Sequence, residues 1–286
     1  MRAKPQQQAC MHDNIDASRT DTSADRFTSS PFFAALTRAL ARRGMRLEDV
    51  CDINNPVARR LLAEYGAMFL AADDVLVPPV CVFRGEAEVA EFQARARAQA
   101  GLIDDVTIEL QPAALAALVA ARVEAQAAGF RLTPRGGAEA ARRSYADTVR
   151  LWASRVEPAL EHWLAQERLT TNEAAEVCAL APPAQVAAIL ALEARGLFCS
   201  KDFSKSILYS VAAPGASQHL ALVAFDVAEF TNPSVRATLA RHGWFQTVRS
   251  DLPHFTFLGA REQDLPDLGL ERVGEHGQTF WLPAVS

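Results

Sequence analysis

Two short stretches of the chain carry side chains that can bind a metal ion. In APGASQHLALVAFD, His219 stands seven residues before Asp226, just after a Pro-Gly turn. In DLPHFTFLG, Asp251 stands three residues before His254, which opens a segment of alternating aromatic residues. A catalytic zinc site needs about three nitrogen, oxygen or sulfur ligands and one open position. The donor set His219, Asp226 and His254 meets that need.

Asp251 is suited to a different role. A carboxylate three residues from a ligand histidine, with Pro253 between them in an extended segment, can reach a metal-activated water without binding the metal. That is the position of a general base. A single His and Asp at such a spacing would more often be hydrogen-bonded core residues. Two such segments together favour a metal site instead.

Together the two segments resemble the motifs of the zinc D-alanyl-D-alanine carboxypeptidases and dipeptidases of the vancomycin-resistance type, which share a fold with the hedgehog signalling domain. The family pattern is PG-x-S-x-H-x-x-G-x-A-x-D, followed later by E-x-x-H and an aromatic residue. The chain matches this pattern at Pro214, Gly215, Ser217, His219, Ala224, Asp226, His254 and Phe255. The resemblance covers about residues 105–260, apart from an insertion, and implies one zinc ion per chain held by His219, Asp226 and His254.

The resemblance also implies further roles. The family places an arginine in a Tyr-Arg-Ser turn between a strand and a helix, where it polarises the scissile carbonyl. Arg135 in LTPRGG lies at such a junction and is the predicted catalytic arginine, although an arginine before a Gly-Gly turn can equally stabilise the turn. Arg143 in RRSY is the rival and a predicted substrate-binding residue. Ser217 is predicted to orient the peptide, and Asp251 to act as the base.

Two positions depart from the family pattern. Leu222 replaces the family glycine, which predicts different backbone packing beside the metal. Asp251 replaces the family glutamate and withdraws the carboxylate by roughly 1.5 Å, about one bond length. Either the loop moves in to compensate, or activity is altered. The remaining histidines have no partner at ligand spacing and are interpreted as structural or surface residues: His12, His162, His242 and His276.

The composition is that of an ordinary packed protein. Half of the 286 residues are apolar and 22% are charged. A net charge of −5 argues against a nucleic-acid partner, which would require a basic surface. No apolar run approaches the roughly 18 to 20 residues that cross a bilayer, and the first 30 residues are polar, without the apolar core of a signal peptide.

Strands and helices are mixed without a regular βαβ rhythm, so the predicted fold class is α+β. The resemblance implies an antiparallel sheet with flanking helices of the hedgehog and D,D-peptidase type. We expect a disordered tail over residues 1–30, an N-terminal helical extension over 31–104 and a zinc peptidase domain over 105–286. A helical insertion is expected at about 158–206.

Several elements can be predicted individually. Strands are predicted for Val75–Phe83, broken by Pro78-Pro79, for Asp105–Leu110 and for Phe130–Pro134. The segments FQTV and HFTFLG are expected to pair. A helix is expected to begin at Asn232-Pro233.

The cysteine count is odd and no CxxC pair occurs, which argues against a structural zinc cluster. Buried thiols are the favoured interpretation. If the protein is oxidised, Cys178 with Cys199 is the first pair to consider; the other cysteines are Cys10, Cys51 and Cys81.

The predicted function is therefore a zinc-dependent D,D-carboxypeptidase that hydrolyses the terminal D-Ala-D-Ala bond of peptidoglycan stem peptides or their precursors. Two alternatives stay open: a non-catalytic, zinc-containing peptidoglycan-binding module, which Leu222 and Asp251 favour, and a peptidoglycan endopeptidase. The expected location is the cell envelope or periplasm. The cytoplasm is the alternative, because no signal peptide is visible.

Overall fold

A computed structural model describes residues 22–275 and 277–285. Helices α1 to α10 cover Thr22–Thr28, Pro31–Arg42, Leu47–Val50, Pro56–Tyr65, Glu86–Arg95, Pro112–Ala127, Tyr145–Ala165, Thr171–Ala179, Pro182–Ala194 and Pro233–Arg241. Strands β1 to β7 cover Gln99–Ile103, Val106–Leu110, Ala224–Asp226, Trp244–Phe245, His254–Phe257, Leu270–Glu275 and Gln278–Pro283. Short 3-10 helices cover Gly66–Leu70, Ala138–Ala140, Ile207–Tyr209, Gln218–Ala221 and Glu262–Asp264.

The strands form small antiparallel sheets. β1 pairs with β2 and β6 with β7, while a three-stranded sheet has the order β3-β5-β4. Every one of these pairs is antiparallel, and helices surround them, so the predicted α+β class is confirmed. The predicted pairing of FQTV with HFTFLG is confirmed only at Phe245, which lies opposite Thr256; the paired strand begins one residue earlier, at Trp244, and does not continue beyond Phe245.

Two predicted strands do not form. Within Val75–Phe83 the chain runs through turns and bends, because Pro78-Pro79 supplies no N–H donors for a ladder. Phe130–Pro134 contributes only an isolated bridge between Pro134 and Val227. The strand over Asp105–Leu110 is confirmed as β2. The helix at Asn232-Pro233 is confirmed too, and the Asn232 side chain caps it by accepting from Ser234 N–H.

The N-terminal segment shares one hydrophobic core with the central sheet. Phe32 and Leu36 of α2 belong to the same buried cluster as Phe225, Trp244 and Phe255. Residues 31–104 are thus packed into the fold rather than appended to it. Helix α1 lies inside the predicted disordered tail, so that prediction is wrong for Thr22–Thr28, and the tail up to residue 21 lies outside the described residues.

A second core forms around the expected insertion. Trp152 of α7, Ile189 of α9 and Leu197, which follows α9, lie in one buried cluster with Leu61 and Tyr65 of α4. The insertion is helical as predicted, and α9 begins at Pro182-Pro183. Its expected start at residue 158 falls inside α7, which continues through Pro158. None of the described helices is long and apolar enough to cross a membrane.

One disulfide bond joins Cys51 to Cys81, whose Cα atoms lie 5.3 Å apart. Cys178 is exposed and Cys199 is buried, and both are free, so the predicted first pair is wrong. Burial raises the pKa of Cys199 to about 12, which keeps its thiol protonated and inert. Closing a loop of 30 residues stabilises a fold by about 3 to 4 kcal/mol in the chain-entropy model.

The disulfide fastens a segment that supports the first metal motif. Two residues after Cys81, the Phe83 N–H donates to the Gly215 carbonyl at 3.0 Å. Gly215 has φ of +81°, and a Cβ atom there would overlap the Phe83 carbonyl oxygen. Both the backbone conformation and the close approach therefore require glycine.

Gly215→Ala is expected to destabilise the protein more than Gly44→Ala. Both positions have positive φ, which costs an alanine about 1 to 2 kcal/mol, but only Gly215 faces another backbone. The overlap should add about 1 to 3 kcal/mol to the loss in free energy of unfolding. Urea denaturation of the two variants measures the difference. Equal losses in the free energy of unfolding of the two variants would show that the close approach of Phe83 does not constrain residue 215.

Candidate metal centre

Three side chains converge at the end of the central sheet. The His219 Nε2 atom lies 3.1 Å from His254 Nδ1, and each nitrogen lies 3.3 Å from Asp226 Oδ1. The two histidine side chains are almost fully buried, and that of Asp226 is 15% exposed. The structure therefore brings together all three predicted ligands, and this group is able to hold a metal ion.

The sheet register positions two of them. Asp226 ends β3 directly opposite His254, which begins β5. Directly opposed residues of antiparallel strands have Cβ atoms only about 5 Å apart. Because directly opposed residues of paired strands point to the same face of the sheet, this register directs both side chains toward the same point.

A tight reversal positions the third ligand. His219 lies in the 3-10 helix Gln218–Ala221, and the chain then turns through Leu222 before β3 starts. Leu222 has φ of +58° and ψ of +32°, a left-handed conformation that favours glycine. It adopts this conformation with its side chain fully buried in the core. The leucine therefore accepts a backbone conformation that favours glycine, and burial of its side chain in the core offsets the strain.

The tautomer of His219 is determined by a backbone group. Its Nδ1 lies 3.1 Å from the carbonyl oxygen of Ala141, which can only accept a hydrogen bond. Nδ1 therefore carries the proton, and Nε2 presents a bare lone pair. Burial, aided by the positive charge of Arg143, lowers the pKa of His219 to about 4, so the ring is neutral at pH 7.

The tautomer of His254 is determined through Gln218. The Gln218 Nε2 group donates to the Tyr65 carbonyl at 2.9 Å, so its Oε1 must face the opposite side. That oxygen lies 2.9 Å from His254 Nε2 and also accepts from the Thr256 hydroxyl. His254 Nε2 consequently carries a proton, and in the neutral ring Nδ1 is bare.

Three electron-pair donors therefore face one another without a proton between them. Asp226 Oδ1 is buried and accepts no hydrogen bond from any described residue. Such an arrangement is unfavourable unless a cation lies between the donors. Tetrahedral zinc bonds of about 2.0 to 2.1 Å place neighbouring donors about 3.3 Å apart, close to the separations of 3.1 to 3.3 Å found here. The residues fit a zinc ion.

Arg143 completes the environment of the carboxylate. Its Nη2 donates to Asp226 Oδ2 at 2.6 Å, leaving Oδ1 for the metal. Outer hydrogen bonds of this kind orient ligands and tune metal affinity.

Asp251 lines the same cavity as the three ligands. It ends a turn in which its N–H donates to the Val248 carbonyl and its own carbonyl accepts from His254 N–H. Ser250, with φ of +60°, directs the turn, and Glu275 anchors it by accepting from Arg249 and from the Ser250 hydroxyl. Burial raises the pKa of Asp251; His254 opposes that shift, and the Asp226 carboxylate adds to it.

The two arginine candidates are placed differently. Arg143 lines the cavity, whereas the guanidinium of Arg135 lies over the Phe230 ring, 5.1 Å from its centre, and is not among the cavity residues. Arg135 contributes its backbone N–H to the Asp226 carbonyl. The geometry therefore favours Arg143 over Arg135 as the arginine that acts at the site.

The other predicted residues divide in the same way. Ser217 lines the cavity, and its hydroxyl makes no hydrogen bond within the described part of the chain. His162 stacks on Phe203, and His242 lies 2.8 Å from Glu124, both away from the metal ligands. His12 and His276 lie outside the described residues.

The cavity above the ligands has a volume of about 180 Å³, room for about six water molecules. Besides the metal ligands, its wall combines polar groups with small apolar ones. The residues are Tyr65, Arg143, Leu151, Arg155, Leu208, Ser210, Val211, Ala212, Ser217, Gln218, Val248 and Asp251. The cavity thus has room for a small ligand beside the three donors.

Sequence reasoning missed the residues that support the ligands. The position of Gln218 next to His219 in the chain is only a weak sequence signal. No sequence signal marks the carbonyls of Tyr65 and Ala141. Arg155 and Ser210 reach the cavity only through the packing of α7 and the segment after it.

Comparison of the chain with protein-family models, curated proteins and solved structures finds no match. The interpretation of the site therefore rests on its geometry and on the motif resemblance.

Gln218→Met is expected to weaken zinc binding by about 10- to 100-fold, because His254 loses the acceptor that orients it. Competition with a chromophoric chelator measures the affinity. Gln185→Met is the matched control, since that amide bonds Trp152 and the Val177 carbonyl in the second core. The same loss in both variants would show that Gln218 acts only on stability.

Zinc is expected to stabilise the wild-type fold. At zinc concentrations 100 times Kd, binding should add about 2.7 kcal/mol to the free energy of unfolding. Magnesium should add little, because it prefers oxygen ligands to a two-nitrogen set. Urea denaturation with zinc, magnesium or a chelator tests this. His254→Gln, measured in the same three conditions, should show no zinc effect; an undiminished effect would place the metal elsewhere.

Proposed function

We propose that the protein is a zinc-dependent D,D-carboxypeptidase acting on the terminal D-Ala-D-Ala bond of peptidoglycan stem peptides or their precursors. The observation that carries the proposal is the set of three facing donors with a carboxylate, Asp251, in the same cavity. The order and spacing of the two motifs supports the peptidase class. The hedgehog-like fold family is part of the same proposal.

A zinc ion held by His219, Asp226 and His254 would supply Lewis acidity, which would lower the pKa of water toward about 7 and polarise the scissile carbonyl. Asp251 accepts the proton of the attacking water and then donates it to the leaving amine. A buried carboxyl of raised pKa suits both steps, because its affinity for the proton approaches that of the groups it serves.

Arg143 is the residue that stabilises the developing negative charge on the carbonyl oxygen. Its guanidinium lines the cavity, and its bond to Asp226 Oδ2 holds it in place before substrate arrives. A preorganised cation in a site of low polarity needs no rearrangement as charge develops. Ser217, whose hydroxyl lines the same cavity, is placed to orient the peptide.

The lining of the cavity is suited to a substrate whose terminal residue has a small side chain. Ala212, Val211 and Val248 provide apolar surface suited to a methyl side chain. A substrate with terminal alanines fits this lining, and peptidoglycan stem peptides or precursors end in such residues. The cell envelope is the proposed location, with the cytoplasm as the alternative.

The function is tested by measuring the zinc content of the purified protein and then the masses of products from a pentapeptide stem substrate. We expect one zinc per chain and loss of a single alanine. Cleavage within the stem would instead indicate an endopeptidase. Binding at full zinc occupancy without any product would indicate a recognition module.

Asp251→Asn is expected to retain zinc and lose at least about 100-fold in kcat, because the proton acceptor is removed. Asp74→Asn, at an exposed position away from the cavity, is the matched control. Steady-state kinetics and metal analysis of both variants check the role. A fully active Asp251→Asn protein would remove Asp251 from the mechanism.

A further inference from the structure

Arg155 carries an uncompensated positive charge at the cavity wall. It projects from α7, and its Nε donates to the Ser210 hydroxyl oxygen at 3.0 Å, while Nη1 bonds the Ser154 carbonyl and hydroxyl. Among the described residues, no carboxylate lies within ion-pair distance of its guanidinium. Nη2 makes no hydrogen bond to that part of the chain.

Arg143, the other arginine that lines the cavity, and two nearby arginines outside its lining each pair with an acid. Arg143 pairs with Asp226 and Arg150 with Asp147. Arg249, beside the Asp251 turn, pairs with Glu275. A half-buried guanidinium that lines a cavity without such a partner is a strong site for an anion, since it loses hydration there without gaining an ion pair.

Two hydroxyl groups add donors to the same wall. Because Ser210 accepts from Arg155, its own O–H is left to donate outward. The Ser217 hydroxyl lines the cavity near the metal ligands. Leu151 and Leu208 add apolar surface to the lining of the same cavity.

We propose that Arg155 and Ser210 bind the C-terminal carboxylate of a peptide substrate. Arg155 Nη2 donates to one carboxylate oxygen and the Ser210 hydroxyl to the other, so one positive charge meets one negative charge. This inference rests on the proposed peptidase function and deepens it, because it makes a free chain end the feature that the site selects. It assigns a recognition role to α7, which contains none of the motif residues.

The test compares N-acetylated Lys-D-Ala-D-Ala with its C-terminal amide, which differs only in the charge of the chain end. Zinc-loaded wild-type protein should prefer the acid in kcat/KM. Arg155→Gln should reduce that preference at least about tenfold, the effect of losing one charged hydrogen bond. Arg155→Lys, which keeps the charge, should retain part of the preference.

Arg150→Gln is the matched control, because Arg150 lies on the same helix, is 65% exposed and faces away from the cavity. It should keep the wild-type preference, and zinc content should be equal in all variants. An Arg155→Gln protein with an unchanged acid-to-amide ratio would overturn the carboxylate site. So would a wild-type protein that treats both peptides alike.

Failure of the proposed function is distinguished by calorimetry on the same two peptides. If neither is hydrolysed, tighter binding of the acid by wild type, lost in Arg155→Gln, supports the carboxylate site and assigns it to a recognition module. Equal binding of both peptides, or binding of neither, overturns it.

Discussion

The metal centre depends on the orientation of one buried amide. The Tyr65 carbonyl can only accept a hydrogen bond, so it takes the NH2 group of Gln218 and turns the amide oxygen toward His254. That oxygen requires a proton on His254 Nε2 and leaves Nδ1 bare. The Ala141 carbonyl does the same for His219 from the other side. Two backbone carbonyls thus decide where both histidine protons lie, and every chemical property proposed for the site follows from the lone pairs that remain.

The part of the site that could be predicted from sequence is the part encoded by short-range spacing. His219, Asp226 and His254 follow from two local motifs and from strand alternation, and Asp251 follows from its offset of three residues. The sequence favours Arg135 over Arg143 but offers no means of testing that choice, because both precede helices and only the packing of the chain shows which guanidinium reaches the cavity. The same holds for the Cys51–Cys81 bond, whose partners are 30 residues apart and have no local pattern. The composition of Val75–Phe83 favours a strand, but the segment forms none because its two prolines lack the N–H donors that a ladder requires.

The local backbone conformation accommodates the two departures from the motif, Leu222 and Asp251. Leu222 keeps a left-handed turn that glycine would adopt without strain, and its buried side chain offsets the penalty. Ser250 is also left-handed, and it directs the turn that ends in the shorter carboxylate of Asp251. Glu275 holds that turn from outside through Arg249 and Ser250. In both places an unusual residue is tolerated because the surrounding structure determines the local conformation.

The contacts that prepare the histidines span large distances along the chain, and this determines when the site can form. Gln218 and Tyr65 are 153 residues apart, and His219 and Ala141 are 78 apart. Contacts that close such long loops form late in folding, because closing a loop loses chain entropy before the contact it brings about can stabilise the fold. The donors therefore reach their final arrangement only after the N-terminal helices, α7 and the central sheet have docked. Binding of the proposed metal ion would then follow folding rather than nucleate it.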